Sequence, residues 1–309
     1  MKIVGVTEFG GPEALQVLEV PEPHPGPGEV RIRVHAAAVN PTDTMLREGL
    51  QGTGGKQAPH IPGMDAAGVI DEVGEGSRWS VGEEVMAIAV PRGEHRGAYV
   101  QYLIAPDESL APIPAGTDLP TAATLPMNGL TAVQILEKLD LSPGQVLAVN
   151  GAAGTLGNYL VQLAKLAGLT VVADAADKDR ELVAELGPDH IVERGDDFGR
   201  RVRELFPDGV DAVADAAVQN EAAAEAVRDG GGFATVRGWK GDPGRGITVH
   251  PIWVGEEYRS QEKLDRLRAL AEDGTLTLRV AGTYPAEEAA EAHRRLEAGG
   301  TRGRLVLLF

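Results

Sequence analysis

The stretch Val146–Gly168, VLAVNGAAGTLGNYLVQLAKLAG, decides the fold. Val146–Val149 reads as a buried strand, and GAAGTLG follows at once from Gly151 to Gly157. Asn158–Ala167 then places Leu160, Val161, Leu163, Ala164 and Ala167 on the apolar side of a helix. A glycine-rich loop between strand and helix lets the backbone approach a pyrophosphate, and the helix start supplies free N–H groups and a partial positive charge. Glycines at loop positions one, four and seven are a weak signal alone, and a strong one inside a repeated strand–helix pattern.

That repetition is present. A helix over Leu119–Leu139 precedes the strand. Strand Leu169–Ala173, helix Asp177–Leu186, strand Ile191–Val192, helix Asp196–Leu205, strand Val210–Ala214, helix Asn220–Val227 and strand Phe233–Val236 follow. Alternation at this spacing predicts βαβ units, hence a doubly wound parallel α/β sheet of Rossmann type. Gly151, Ala153, Gly154, Thr155, Leu156 and Gly157 are the phosphate-loop candidates. Arg237 and Gly238 lie beyond the carboxyl end of the last strand, where ligands bind in such sheets, and join the cofactor-binding set.

Dinucleotides are told apart at the end of the second strand, where an acid suits a ribose hydroxyl and cations suit a 2′-phosphate. Asp174 stands there, and reads equally as that acid or as a cap for the next helix. Lys178, Arg180 and Arg194 supply cations nearby, so NADPH is the expected cofactor.

Outward from this core, residues 1–121 show short apolar or alternating stretches separated by turns such as PEPHPGPGE and GEGSRWSVGE. This pattern predicts a β-rich, barrel-like module. Amphipathic helices near Gln261–Ala271 and Glu287–Leu296 precede a final strand, Leu305–Phe309, which needs a pairing partner in the first module. The expected division is a barrel-like catalytic domain of residues 1–121 and 249–309 and a dinucleotide-binding domain of residues 122–248, with the active site in the cleft between them.

Composition narrows the function. The 309 residues carry 29 Lys+Arg against 46 Asp+Glu, a net charge of −17, which argues against nucleic acid and anionic membranes as partners. With no cysteine, disulfides, thiolate catalysis and cysteine-type zinc sites are excluded. No apolar run reaches the ~18 residues of a membrane span, and the N-terminus lacks a signal-peptide pattern, so a cytoplasmic location is expected. The seven histidines are scattered without ligand spacing and read as surface or strand residues. Tyr99 reads as a packing residue.

With these motifs in view, the chain resembles the zinc-independent medium-chain dehydrogenase/reductases, in their quinone oxidoreductase branch. VNPTDTMLREG (39–49), IPGMDAAGVIDEVGEG (61–76), LPMNGLTA (125–132), the loop above and HRRLEAGGTRGRLVLLF (293–309) carry the resemblance. It implies a chaperonin-10-like barrel beside the Rossmann domain and a homodimer. Zinc enzymes of this superfamily place a ligand cysteine where Asn40 stands and a His-Glu where Met64-Asp65 stand, so both zinc sites are expected to be lost. Without a Lewis acid, the acceptor must itself be a good hydride acceptor, a quinone or activated alkene. By resemblance, Asn40, Asp43 and Asn128 are the catalytic candidates and Thr131 lies by the cofactor. Turn chemistry before and after Pro41 is the alternative reading of Asn40 and Asp43. Met45 stands where related quinone and 2-enoyl reductases often carry a tyrosine, so a tyrosine proton donor there is excluded, which lowers the enoyl-thioester reading. The implied function is NADPH-dependent reduction of a quinone; the alternatives are a 2-alkenal or enone reductase and a non-catalytic NADPH-binding protein.

Overall fold

The computed structural model describes all residues, Met1–Phe309, in two compact units. The first comprises Met1–Met127, Gly255–Gly274 and Leu278–Phe309, and the second Asn128–Val254 with Thr275–Thr277.

The first unit opens with β1 (Lys2–Gly5), β2 (Gln16–Glu19), β3 (Glu29–Val39), α1 (Pro41–Arg47), β4 (Asp65–Val73), β5 (Glu84–Ile88), β6 (Tyr102–Pro106), β7 (Leu110–Pro112), α2 (Leu119–Ala122) and the start of α3 (Pro126–Leu139). β3 organises it. Val30, Ile32 and Val34 point inward while Arg31 and Arg33 point outward, as strand alternation requires. From Ala36 both faces are covered, which is why the strand turns to alanines. One edge of β3 pairs with β4; the other takes β6 along Glu29–Arg33 and, further on, the last strand of the chain.

The second unit continues α3 and adds β8 (Val146–Asn150), α4 (Thr155–Leu166), β9 (Thr170–Ala175), α5 (Arg180–Ala184), β10 (His190–Glu193), α6 (Phe198–Leu205), β11 (Val210–Asp215), α7 (Glu221–Ala224), β12 (Val227–Thr235) and β13 (Thr248–Pro251). All pairs in its sheet are parallel, in the order β10-β9-β8-β11-β12-β13. This is the doubly wound order, reversing direction between β8 and β11, the place where such sheets bind ligands. Val172, Val213, Phe198, Val202 and Phe233 form part of its core.

The chain then returns to the first unit with α8 (Gln261–Glu272), β14 (Val280–Pro285), α9 (Ala289–Glu297) and β15 (Arg304–Leu308). β15 lies between β14 and β3. The fold class is thus a Rossmann sheet plus an antiparallel-rich, barrel-like sheet.

Several boundaries differ from the sequence reading. β13 pairs with β12, which carries residues 249–254 into the second unit, and the earlier crossing falls at 127/128 rather than 121/122. Leu119–Leu139 is two helices, because Pro126 has no N–H to continue one and instead starts the next. The helix expected over Asn220–Val227 is the single turn α7, since β12 already begins at Val227. No helix is long and apolar enough to cross a membrane.

Candidate active site

In the second unit the glycine loop leaves β8 at the switch point. Gly151 takes φ 69°, a left-handed conformation open to glycine, and its carbonyl accepts the Gly154 N–H at 2.9 Å. α4 starts at Thr155 with Gly154 as an N-cap that offers no side chain. The N–H groups of Thr155, Leu156 and Gly157 therefore have no acceptor within the helix and form an anion-binding end. Ala153 is buried beside them. A Cβ on Gly157 would lie 2.6 Å from Ala152 Cα and overlap the Gly151 carbonyl, so loop and helix are in glycine-only contact there.

Asp174, the next-to-last residue of β9, is buried. Its Oδ1 accepts the Ala152 N–H at 2.9 Å, while its Oδ2 is buried with no partner. Burial pushes its pKa up against the opposing pull of the Ala152 N–H and the Arg194 charge. The carboxylate is thus an anchor of the glycine loop and not a cap for α5. Lys178, Arg180 and Arg194 are exposed, and no ion pair or side-chain hydrogen bond holds any of them. Parallel pairing explains their gathering: Val192 sits opposite Asp174, and the Arg194 N–H bonds Ala175 O at 2.9 Å.

Arg237 (φ 63°) and Gly238 (φ 76°) turn the chain beyond β12. Trp239 packs edge-on against Phe233 and bonds Glu221, as a core-side residue. Asn128 and Thr131 are buried three residues apart on α3, on one helix face. Sequence reasoning missed Asp215, the last residue of β11. It accepts from Asn150 Nδ2 (2.8 Å), Gln219 N (3.0 Å) and Asn220 N (2.6 Å). The turn it holds contains Val218 at φ 59°, a strained conformation for a β-branched residue.

The first unit holds a buried polar cluster. Asn40 and Asp43 form a capping box at α1, and both are fully buried. Asp43 accepts from Asn40 N (2.7 Å), Gly63 N (2.9 Å) and the Tyr99 hydroxyl (3.2 Å). Asn40 Nδ2 donates to Asp65 at 2.6 Å, and Asp65 also accepts the Met127 N–H at 2.6 Å. Behind them, Arg47 Nη1, which can only donate, meets His293 Nδ1 at 3.3 Å. The ring proton therefore sits on Nε2 and donates to the Tyr99 oxygen at 3.2 Å. Arg47 completes itself on Gly10 O, Glu48 and Glu297.

Two readings from sequence change here. His293 is a fully buried member of this network, not a surface or strand residue, and Tyr99 is a hydrogen-bonding as well as a packing residue. Both oxygens of Asp43 are occupied by donors of the protein itself, so the turn chemistry weighed for it accounts for what it does. Zinc does not fit this cluster. Asn40 brings a bonded carboxamide and Met64 a thioether that takes the Thr42 hydroxyl, whereas zinc wants thiolate or imidazole donors.

Burial pushes Asp43 up to about 6 and Asp65 up to about 7, from an ordinary 3.8, against the opposing pull of the donated N–H groups and the Arg304 charge. Burial also holds His293 down to about 3. A raised carboxyl binds protons more tightly folded than unfolded, so its stabilisation is complete at acid pH and is lost as pH rises through the folded value. His293 opposes this below its unfolded value of 6.5 but is silent above it. Between pH about 6.5 and 8 the unfolding free energy, and with it the melting temperature, is therefore expected to fall with rising pH, by at most about 1.4 kcal/mol per pH unit per proton, and to level off above the Asp65 value of about 7. In Asp65→Asn the slope flattens; calorimetry across that window checks it.

Comparison with known proteins accords with this architecture. Residues 26–115 match the alcohol dehydrogenase GroES-like domain family, and residues 186–307 the zinc-binding dehydrogenase family. Quinone oxidoreductase of Mus musculus is 29% identical, the alignment covering 100% of this chain and 98% of that protein. NADPH-dependent alkenal/one oxidoreductase, chloroplastic, of Arabidopsis thaliana is also 29% identical, covering 99% of this chain and 79% of its own. A solved NAD-dependent alcohol dehydrogenase superposes with TM-score 0.85 and 30% identity over 100% of both chains. The chain belongs to the medium-chain dehydrogenase/reductase family, in its quinone oxidoreductase branch.

Proposed function

We propose that this protein is an oxidoreductase that reduces a quinone or similarly activated acceptor with NADPH. The observation that carries the reading is a built glycine loop anchored by Asp174 at the end of β9, followed by three exposed cations that no salt bridge or side-chain hydrogen bond ties down, in a chain of net charge −17. The residues fit the dinucleotide: glycine-only backbone contact at Gly157, free N–H groups at the α4 start, and a buried Asp174 oxygen lacking a donor. The relatives named for quinone and for NADPH-dependent alkenal reduction point to the same chemistry.

When bound, the nicotinamide supplies the hydride. Thr155, Leu156 and Gly157 N–H groups hold the pyrophosphate, and Gly151, Ala153 and Gly154 shape the loop around it. Lys178, Arg180 and Arg194 hold the 2′-phosphate. Arg237 and Gly238 border the cofactor from the end of β12. Asn128 and Thr131, on one face of α3, line the nicotinamide and offer hydrogen bonds to the oxygen that gains charge on the acceptor. The Asn40 amide, already bonded to Asp65 and Ala38 O, holds its own turn. Asp43 and Asp65 fix the Asn40 turn, and the proton that completes the reduced acceptor comes from solvent.

The test is a panel of quinones, 2-alkenals and enones with NADPH, followed by loss of NADPH absorbance. Turnover is expected with quinones above enones. The reverse order gives the alkenal or enone reductase reading, and tight binding without turnover gives the non-catalytic one. The proposal extends to a homodimer in the cytoplasm. The sheet of the second unit ends at β13, whose outer edge is unpaired and open to a second copy. Sedimentation and cell fractionation check these points.

A further inference from the structure

Two tryptophans stand beyond the carboxyl end of the parallel sheet, and they are used differently. Trp239 packs edge-on against Phe233 and donates its indole N–H to Glu221 at 3.1 Å. Trp253 is 46% exposed, against the usual burial of so large an apolar ring. Register fixes where it stands. β13 pairs in parallel with β12, Thr235 opposite Pro251, and the Ile252 N–H bonds Thr235 O at 3.0 Å. Trp253 therefore leaves the sheet at the level where β12 gives way to Arg237 and Gly238, on the edge where parallel sheets take their ligands. Its ring reaches over Gly238, where a Cβ would lie 4.0 Å from Trp253 Cζ2. The other exposed large apolar side chains of this unit, Leu166 and Leu205, end α4 and α6, at the opposite edge of the sheet.

Helix α3 holds this strand exit in place. Gln134 Nε2 donates to Trp253 O at 3.1 Å, and Lys138 Nζ to Pro251 O at 3.4 Å. Asn128, Thr131, Gln134 and Lys138 follow one another at spacings of three, three and four, so they share one helix face. The face that begins with the two residues assigned above to the nicotinamide thus ends by gripping the segment that carries the indole. Asn128, Thr131 and Gln134 are buried, whereas the Trp253 ring stays open.

We infer that Trp253 is a specificity-determining residue whose exposed indole face is the wall on which a planar, ring-fused quinone lies beside the nicotinamide. The inference rests on the reductase reading above and narrows its substrate class to flat conjugated acceptors. A broad π-face gains from offset stacking on indole, whereas a short aliphatic enone covers only a corner of the ring.

The experiment measures kcat and KM at saturating NADPH for phenanthrenequinone and for methyl vinyl ketone, in the native protein, Trp253→Ala and Trp253→Phe, with sedimentation of each. In W253A the ratio of kcat/KM for the quinone to that for the enone is expected to fall about tenfold or more, through the quinone's KM, and in W253F to stay within about threefold of native. Trp253→Leu, which keeps bulk without a flat face, carries the same expectation as W253A should the alanine variant not fold. An unchanged ratio overturns the inference. So does a fall carried by kcat, or an equal loss for both acceptors, which marks a structural role. A changed sedimentation coefficient with the ratio intact gives the indole to contact with a second copy and overturns it as well. A native protein that oxidises NADPH with neither acceptor overturns the reductase reading itself, and this inference with it.

Discussion

Replacing Gly157 with valine is expected to weaken NADPH binding at least 100-fold, a loss of about 2.7 kcal/mol. The reason is a backbone clash. A Cβ at this position meets Ala152 Cα at 2.6 Å and the Gly151 carbonyl closer still, and neither atom can swing aside as a side-chain tip does. Relief requires α4 to move off the loop, which takes the Thr155–Gly157 N–H groups away from where an anion would meet them. Gly154→Ala provides the graded control. Its φ of −80° suits any residue, and its Cβ would stand 3.2 Å from Gly151 O, so a loss under about tenfold is expected. Titration of each variant with NADPH, alongside its melting temperature, separates a damaged site from a damaged fold.

The second large effect is selective. Arg180→Ala combined with Arg194→Ala should weaken NADPH by roughly 10²-fold or more while leaving NADH within about threefold, since charge-assisted contacts contribute ~1.5–3 kcal/mol each. Neither arginine makes a side-chain hydrogen bond or salt bridge, although Arg194 lends its charge to the buried Asp174, so Arg180→Ala alone serves as the control that leaves that carboxyl undisturbed. Salt should mimic the variant: exposed charges are screened, and NADPH affinity should fall with ionic strength more steeply than NADH affinity. Equal weakening of both cofactors would place the arginines on the common part of the dinucleotide.

What was legible in the sequence was local. The loop is readable because Gly157 answers to Gly151 and Ala152 within a few residues, and because β8 and α4 announce themselves by apolar period. Asp174 and Arg194 could be placed near each other at one end of the sheet because adjacent parallel strands carry them there. The choice between ribose acid and helix cap could not be made, since the carboxylate's partner, Ala152 N–H, lies 22 positions away. The first unit's cluster was almost invisible for the same reason. Asn40 meets Asp65 25 positions on, Tyr99 meets His293 194 positions on, and Arg47 meets Glu297 250 positions on. No spacing rule spans such separations. Only the capping box of Asn40 and Asp43, three residues apart, was open to reading, as turn chemistry. Short elements failed differently. β13 has four residues and α7 four, too few for a period to show.

The central claim is that this protein is a reductase that draws its hydride from NADPH. Its most direct test is kcat/KM for NADPH and for NADH, measured side by side at about neutral pH with the best acceptor of the quinone and enone panel. The account predicts acceptor-dependent oxidation of both, with NADPH favoured at least about tenfold, the equivalent of about 1.4 kcal/mol. Absence of acceptor-dependent oxidation, or NADH used as well as NADPH, would contradict it.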